Sequence, residues 1–216
     1  MRAWENRPDC RVVDEPLYAY YLCETGLDHP GRDEVIAAGD TSWQAVVAEL
    51  TAPVDGVYYQ KHMTHHLIPQ LPREWIPSLS NVLLIRDPAE VVASYVRSRA
   101  NVVLADIGIV QQVELYDQLG DVPVIDSADF LQQPEAYLRW LCRHIGVEFT
   151  GAMLRWPPGP RESDGVWAPY WYDAVIASTG FEPYRSRVVS LDGAAAEVAE
   201  EARPYYARLR ASRVQL

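Results

Sequence analysis

The chain of 216 residues is 49 % hydrophobic and carries a formal net charge of −11. That is enough apolar content for one substantial core, and too acidic a balance for broad nucleic-acid binding, which needs a basic face to release counterions from phosphates. No apolar run reaches membrane-spanning length, and no basic segment followed by an apolar stretch opens the chain, so the expected location is the cytoplasm.

Neither an internal repeat nor a low-complexity linker divides the sequence, so residues 1–216 read as a single domain. The three cysteines, Cys10, Cys23 and Cys142, lack metal-ligand spacing. They indicate a reducing compartment and read as small core residues.

In chain order, residues 1–7 read as the end of a helix that stops before Pro8, and residues 11–13 as a short strand. Asp14-Glu15-Pro16 then leads into an aromatic-rich helical segment, residues 17–23. Residues 26–39 are a polar connection with a short helix. Trp43, Val46, Val47 and Leu50 fall at helical spacing, Ala52-Pro53 ends that helix, and residues 57–60 form the next strand. Lys61-His62-Met63-Thr64-His65-His66 follows at its carboxyl end.

All but one of the 19 Lys and Arg residues are Arg, the exception being Lys61. A compact, flexible ammonium does things a planar guanidinium cannot, and this singularity marks Lys61 as a site candidate. His62 with His65 or His66 is spaced for a shared helical face. No carboxylate or Cys accompanies them to complete a metal site, so none is expected, and capping or core roles stay open.

Residues 82–85 are an apolar run suited to a strand buried on both faces. It stops at Arg86-Asp87-Pro88. Asp87 is an N-cap, Pro88 occupies the first helical position, and Glu90 completes a D-x-x-E capping box. Val91, Val92, Tyr95 and Val96 form the apolar stripe of the helix, with Ser94, Arg97 and Ser98 on or beyond its flank. Arg86 thus ends a strand at the carboxyl edge of a sheet, where open α/β folds bind ligands, and an Arg fork near a hydroxyl suits a phosphate. An equally simple reading pairs Arg86 with a neighbouring carboxylate and leaves Ser94 on the surface.

Residues 105–119 read as an amphipathic helix, 123–125 as a strand, and 134–145 as a helix ended by Gly146, with Asp126 and Asp129 as caps. Residues 156–172, rich in Pro, Gly and aromatics, form a rigid covering loop leading into a helix. Trp167, Tyr170, Trp171 and Tyr172 there line either an acceptor pocket or the core. Residues 194–213 read as a solvent-facing helix.

RDPAEVVASY resembles the 3′-phosphate-binding segment of sulfotransferases that use 3′-phosphoadenosine 5′-phosphosulfate (PAPS). The resemblance implies an α/β fold, three-layer α/β/α with a central parallel sheet as in P-loop NTPases, and makes Arg86 and Ser94 ligands of the 3′-phosphate. The VVDEP turn resembles the second strand of that fold. KHMTHHLIP is similar to a branch with a K-x-M-x-x-H pattern, which implies Lys61 beside the transferring sulfuryl group and His66 as base, with His62 as its rival. Gly159-Pro160-Arg161 and Gly165-Val166-Trp167 resemble the late loop that closes on the nucleotide, making Arg161 a third phosphate ligand.

No G-x-x-x-x-G-K-[ST] or similar loop occurs, so the first strand and the 5′-phosphosulfate loop are missing from the pattern, as expected of a late start or of a degenerate member. The implied function is transfer of a sulfuryl group from PAPS to a hydroxyl or amine of a small molecule. The alternative is a catalytically inactive or truncated nucleotide-binding or interaction module. A pyridoxal-phosphate enzyme, suggested by aminotransferase-like labels in this branch, would force Lys61 to be its Schiff-base lysine.

Overall fold

Short strands alternate with helices in the computed structural model, which describes residues 1–99, 101–185 and 189–216. In chain order they are α1 (Arg2–Glu5), β1 (Cys10–Asp14), α2 (Tyr18–Thr25), α3 (Arg32–Ala38), α4 (Trp43–Leu50) and β2 (Val57–Lys61). Next come β3 (Leu83–Ile85), α5 (Pro88–Tyr95), α6 (Ile109–Leu119), β4 (Val124–Asp126), α7 (Ser127–Gln132) and α8 (Pro134–His144). The chain closes with α9 (Ala168–Trp171), α10 (Asp173–Ala177) and α11 (Gly193–Ala211). The class is α/β with parallel strand pairing, as the sequence implies, and the described strands form two parallel pairs, β1 with β2 and β3 with β4. Among the described residues no helix is long and apolar enough to cross a membrane.

Met1–Leu79 and Leu138–Phe181 make up one compact unit. β1 and β2 pair from Cys10↔Val57 to Asp14↔Lys61, so both strands end together and bring Asp14 beside Lys61 at their carboxyl end. The connection between them runs through α4, whose N-cap Ser42 accepts from the Ala45 amide. Gln60 Nε2 then donates to the Leu50 carbonyl at 2.7 Å, tying the end of α4 to β2. α2 buries Tyr18, Ala19, Tyr21 and Leu22 against Val35 of α3. Arg7, buried beside β1, donates to Asp9 and to the Glu148 carbonyl at 2.7 Å, which satisfies a guanidinium that would otherwise be costly to bury. Of the three cysteines only Cys142 is buried, and Cys23 is exposed, so the expectation of three core thiols fails for Cys23, which sits on the outer face of α2.

Ser80–Tyr137 and Glu182–Leu216 make up the second unit. β3 pairs with β4 from Leu83↔Val124 to Ile85↔Asp126, and the Val214 amide donates to the Val124 carbonyl at 2.8 Å. The strand expected to be buried on both faces is buried on one. Leu83 and Ile85 are inside, whereas Leu84 is 59 % exposed, because alternate side chains of a strand point to opposite faces. α5 starts where the sequence places it, with Asp87 Oδ1 accepting from the Ala89 amide at 2.9 Å and Pro88 in its first turn. Only half of the expected capping box is made, since the Glu90 carboxylate turns to Arg86 and to the Tyr184 hydroxyl.

The helix expected over 105–119 is broken. Gly108, left-handed at φ 67°, separates a 3₁₀ turn at Leu104–Ile107 from α6. α11 is not a solvent-facing helix either. It buries Val198, Ala199, Ala202 and Leu209, and the small alanines let it lie close to its neighbours. Asp126 is a cap, as expected, with Oδ1 on the Ala128 amide and Oδ2 taking the Tyr206 hydroxyl at 2.6 Å.

Gly56, at φ 81°, makes the entry to β2, and a Cβ added there would lie 2.4 Å from the Asp9 carbonyl oxygen. Both the left-handed backbone and the contact demand glycine, so Gly56→Ala is expected to lower stability by about 1–3 kcal/mol, read from urea unfolding midpoints.

Candidate active site

The β1 ladder continues one residue past the strand, because the Glu15 amide donates to the Lys61 carbonyl at 2.8 Å. Glu15 does so at φ 45°, the one non-glycine residue with positive φ among those described, a conformation that costs an L-residue roughly 1–2 kcal/mol. In return the chain leaves the strand with the carboxylates of Asp14 and Glu15 both at the ammonium. Lys61 Nζ lies 2.9 Å from Asp14 Oδ1 and 2.5 Å from Glu15 Oε1. It also donates to the Tyr172 hydroxyl at 2.9 Å, and that hydroxyl in turn donates to Asp14 Oδ2 at 2.5 Å. Side-chain exposure falls from 29 % at Lys61 to 11 % at Glu15 and 1 % at Asp14.

Burial works against the Lys61 ammonium, but Glu15, Asp14 and Tyr172 outweigh it and hold the group above the usual lysine range. Lys61 is therefore a fixed positive charge. Burial also raises the Glu15 carboxyl and the Tyr172 phenol, with Lys61 opposing both shifts. A Schiff-base lysine needs a neutral, nucleophilic amine, which this setting disfavours. Among the described residues no group of three or more His, Cys, Asp or Glu is placed to hold a metal ion.

The two histidines expected as base sit differently. The His62 ring faces Trp75, with Nε2 at 3.2 Å from Gln60 Oε1, and burial, then Lys61, lowers it from 6.5 to about 4. His66 ends a 3₁₀ turn, Thr64–His66, and is 2 % exposed. Tyr18 stacks on it at 4.7 Å, Tyr21 lies at 4.8 Å and His65 meets it edge-on at 4.4 Å. Neither of its ring nitrogens has a hydrogen-bond partner among the described residues, and burial holds it well below its ordinary value.

The expected phosphate ligands belong to both units. In the second, Arg86 precedes the N-cap of α5, and Glu90 and Ser94 lie at i and i+4 within the helix. Arg86, with its side chain 44 % exposed, donates to Glu90 at 2.8 Å, and Ser94 Oγ accepts from Arg97 at 3.0 Å. An accessible guanidinium and a hydroxyl fit a phosphate in kind, with Glu90 as the anion that must give up Arg86.

Arg161 belongs to the first unit. Its amide donates to Asp164 and its guanidinium to the Pro157 carbonyl at 3.2 Å. Asp164 also holds Arg2 at 2.8 Å, and Asn6 donates to the carbonyls of Ala152 and Arg155, so α1 anchors this late segment. Sequence reasoning picked out Lys61 but missed its partners Asp14, Glu15 and Tyr172. The usable signal was the pair of acids closing β1, which parallel pairing with β2 must bring to Lys61.

A family model described as a sulfotransferase domain matches residues 1–213. Two curated relatives from Arabidopsis thaliana, Branched-chain-amino-acid aminotransferase-like proteins 1 and 2, are 37 % and 35 % identical over 187 residues, 84 % of this chain. Those 187 residues are 34 % and 33 % of the relatives, so the chain spans about a third of the length of the curated relatives it matches. Among solved structures it is similar to the Sulfotransferase Domain from the Curacin Biosynthetic Pathway, at 19 % identity and TM-score 0.45 over 86 % of this chain and 77 % of that one. It is also similar to the Sulfotransferase Domain from the Synechococcus PCC 7002 Olefin Synthase, at 14 % identity and TM-score 0.46 over 86 % and 74 %.

His62 binds its proton more weakly folded, at about 4, than unfolded, at 6.5, so its contribution to stability is present above 6.5 and is lost as pH falls toward 4. Acidification from pH 7 to 5 is expected to remove about 1–2 kcal/mol through this group, and the His62→Gln variant, unfolded in urea at both pH values, is expected to lack that part of the slope.

Proposed function

Because the chain belongs to the sulfotransferase domain family, we propose that it transfers a sulfuryl group from PAPS to a hydroxyl or amine of a small molecule. The family match over residues 1–213 supports one sulfotransferase-like domain, and the net charge of −11 supports a role away from nucleic acid. The observation that carries the reading is Lys61, the one lysine, held as a permanent ammonium where two parallel strands end.

PAPS, when bound, supplies an activated sulfuryl group on a phosphate leaving group. Lys61 offsets the negative charge that develops on the bridging oxygen. Arg86 and Ser94 bind the 3′-phosphate, with Arg86 exchanging the Glu90 carboxylate for it. The K-x-M-x-x-H pattern points to His66 as base, with His62 as its rival. The closed packing of His66 and the weak basicity of His62 argue against either taking a proton efficiently near neutral pH.

A second reading, a nucleotide-binding module without turnover, is favoured by one feature: Lys61 and Arg86 are both already paired with carboxylates of the chain itself.

Calorimetric titration with adenosine 3′,5′-bisphosphate, alongside release of that nucleotide from PAPS with p-nitrophenol as acceptor probe, separates the readings. With a 5′-phosphosulfate loop supplied by upstream sequence, binding and turnover are expected, with Arg86→Ala weakening binding by about 1.5–3 kcal/mol, roughly tenfold to a hundredfold. Binding without turnover selects the inactive module. Absence of binding by a folded chain that carries the loop sinks both.

A further inference from the structure

The Lys61 ammonium has three N–H groups to give, and the strand-end cluster takes all of them: one goes to Asp14, one to Glu15 and one to the Tyr172 hydroxyl. An oxygen of an incoming phosphate or sulfuryl group therefore reaches the ammonium only by replacing one of these partners. The three are not equally replaceable. Asp14 and Glu15 are carboxylates in charge-assisted bonds, and Glu15 is further fixed by its amide on the Lys61 carbonyl. Tyr172 brings a neutral oxygen to the cation, the weakest hold of the three.

Its place in the chain is also the loosest. Tyr172 stands at the joint between α9 and α10, at φ −112° and ψ 13°, closing one helix and opening the next. Those helices are shallowly seated: α9 buries Ala168 alone, and α10 buries none of its residues. Segments with so few buried contacts occupy the low-stability end of a fold, where opening costs least. β1 and β2, by contrast, hold Asp14, Glu15 and Lys61 in one continuous ladder. When the phenol turns aside, Asp14 keeps Lys61 through its other oxygen.

We infer that Tyr172 gates Lys61: its hydroxyl holds the N–H that the ammonium must turn to a phosphate oxygen of the nucleotide, and nucleotide entry displaces it. The inference rests on the sulfotransferase reading above and adds to it the residue that controls access to the lysine. Only the fraction of molecules with Tyr172 released is competent at Lys61, so the gate lowers the apparent affinity by that fraction.

The protein carrying the upstream loop is titrated with adenosine 3′,5′-bisphosphate, whose 5′-phosphate holds the oxygen that bridges to sulfur in PAPS. The ¹⁵N resonance of the Lys61 ammonium, assigned by its loss in Lys61→Arg, is expected to shift on saturation. Amide hydrogen exchange over residues 168–177 is expected to speed up as Tyr172 lets go. Tyr172→Phe is expected to bind the nucleotide about threefold to tenfold more tightly by calorimetry, whereas a merely structural phenol would weaken binding when removed. Unchanged or weaker affinity in folded Tyr172→Phe overturns the gate. Should that variant fail to fold, because Asp14 loses a buried donor, the wild type decides. A Lys61 resonance that stays put at saturation, or exchange over 168–177 that holds steady or slows, overturns the gate and leaves the sulfotransferase reading standing. A wild-type protein that carries the loop and binds no nucleotide overturns that reading, and the gate with it.

Discussion

The register of β1 against β2 is the constraint on which the Lys61 site depends. Parallel strands that start together end together, so pairing Cys10 with Val57 obliges Asp14 to meet Lys61 four residues later. A slip of one residue would turn alternate side chains to the other face and separate the acids from the ammonium. Gly56 and the Asp9 carbonyl fix the entry, the Gln60 amide on Leu50 fixes the crossover, and Glu15 extends the ladder beyond its regular end. The chemistry at the strand ends is thus a readout of backbone pairing.

That cluster is a poor device for stability. Two largely buried carboxylates share one ammonium, and removing such groups from water costs several kcal/mol each before attraction returns any of it. The left-handed Glu15 adds backbone strain to the same spot. A fold seeking only to persist would put apolar side chains there, as it does at Leu22, Val35 and Leu50. Concentrated electrostatic and conformational cost at the carboxyl end of parallel strands is what a site of chemistry looks like in physical terms.

Much of the architecture was legible because its signals are local. The strands lie in apolar runs bounded by turn residues, and α5 begins where Asp87 and Pro88 announce it. Lys61 stood out by being alone. The misreadings have physical causes. Gly108 lies in a periodic apolar stretch, where spacing alone cannot show that its backbone is left-handed. The alanines of α11 carry little hydrophobic signal, yet Ala199 and Ala202 are buried because small side chains permit close approach. Tyr172 could not be assigned, since aromatics at helical spacing look alike whether they fill a core or reach a lysine 111 positions away. Glu15 read as part of a turn because its unusual φ is a property of the folded backbone.

The hydrogen bond from Tyr172 to Asp14 spans 158 positions, and this has a consequence for how the protein comes into being. During synthesis β1 and β2 can pair as soon as Lys61 has emerged. At that point Asp14 and Glu15 face the lysine with water on the open side. Only when the segment through Tyr172 has left the ribosome can Asp164 pair with Arg2 and the phenol join Lys61 and Asp14. The complete hydrogen-bond set of the cluster is therefore among the last properties the nascent chain acquires, and a chain halted short of Tyr172 holds its lysine and its acids without the phenol that joins them.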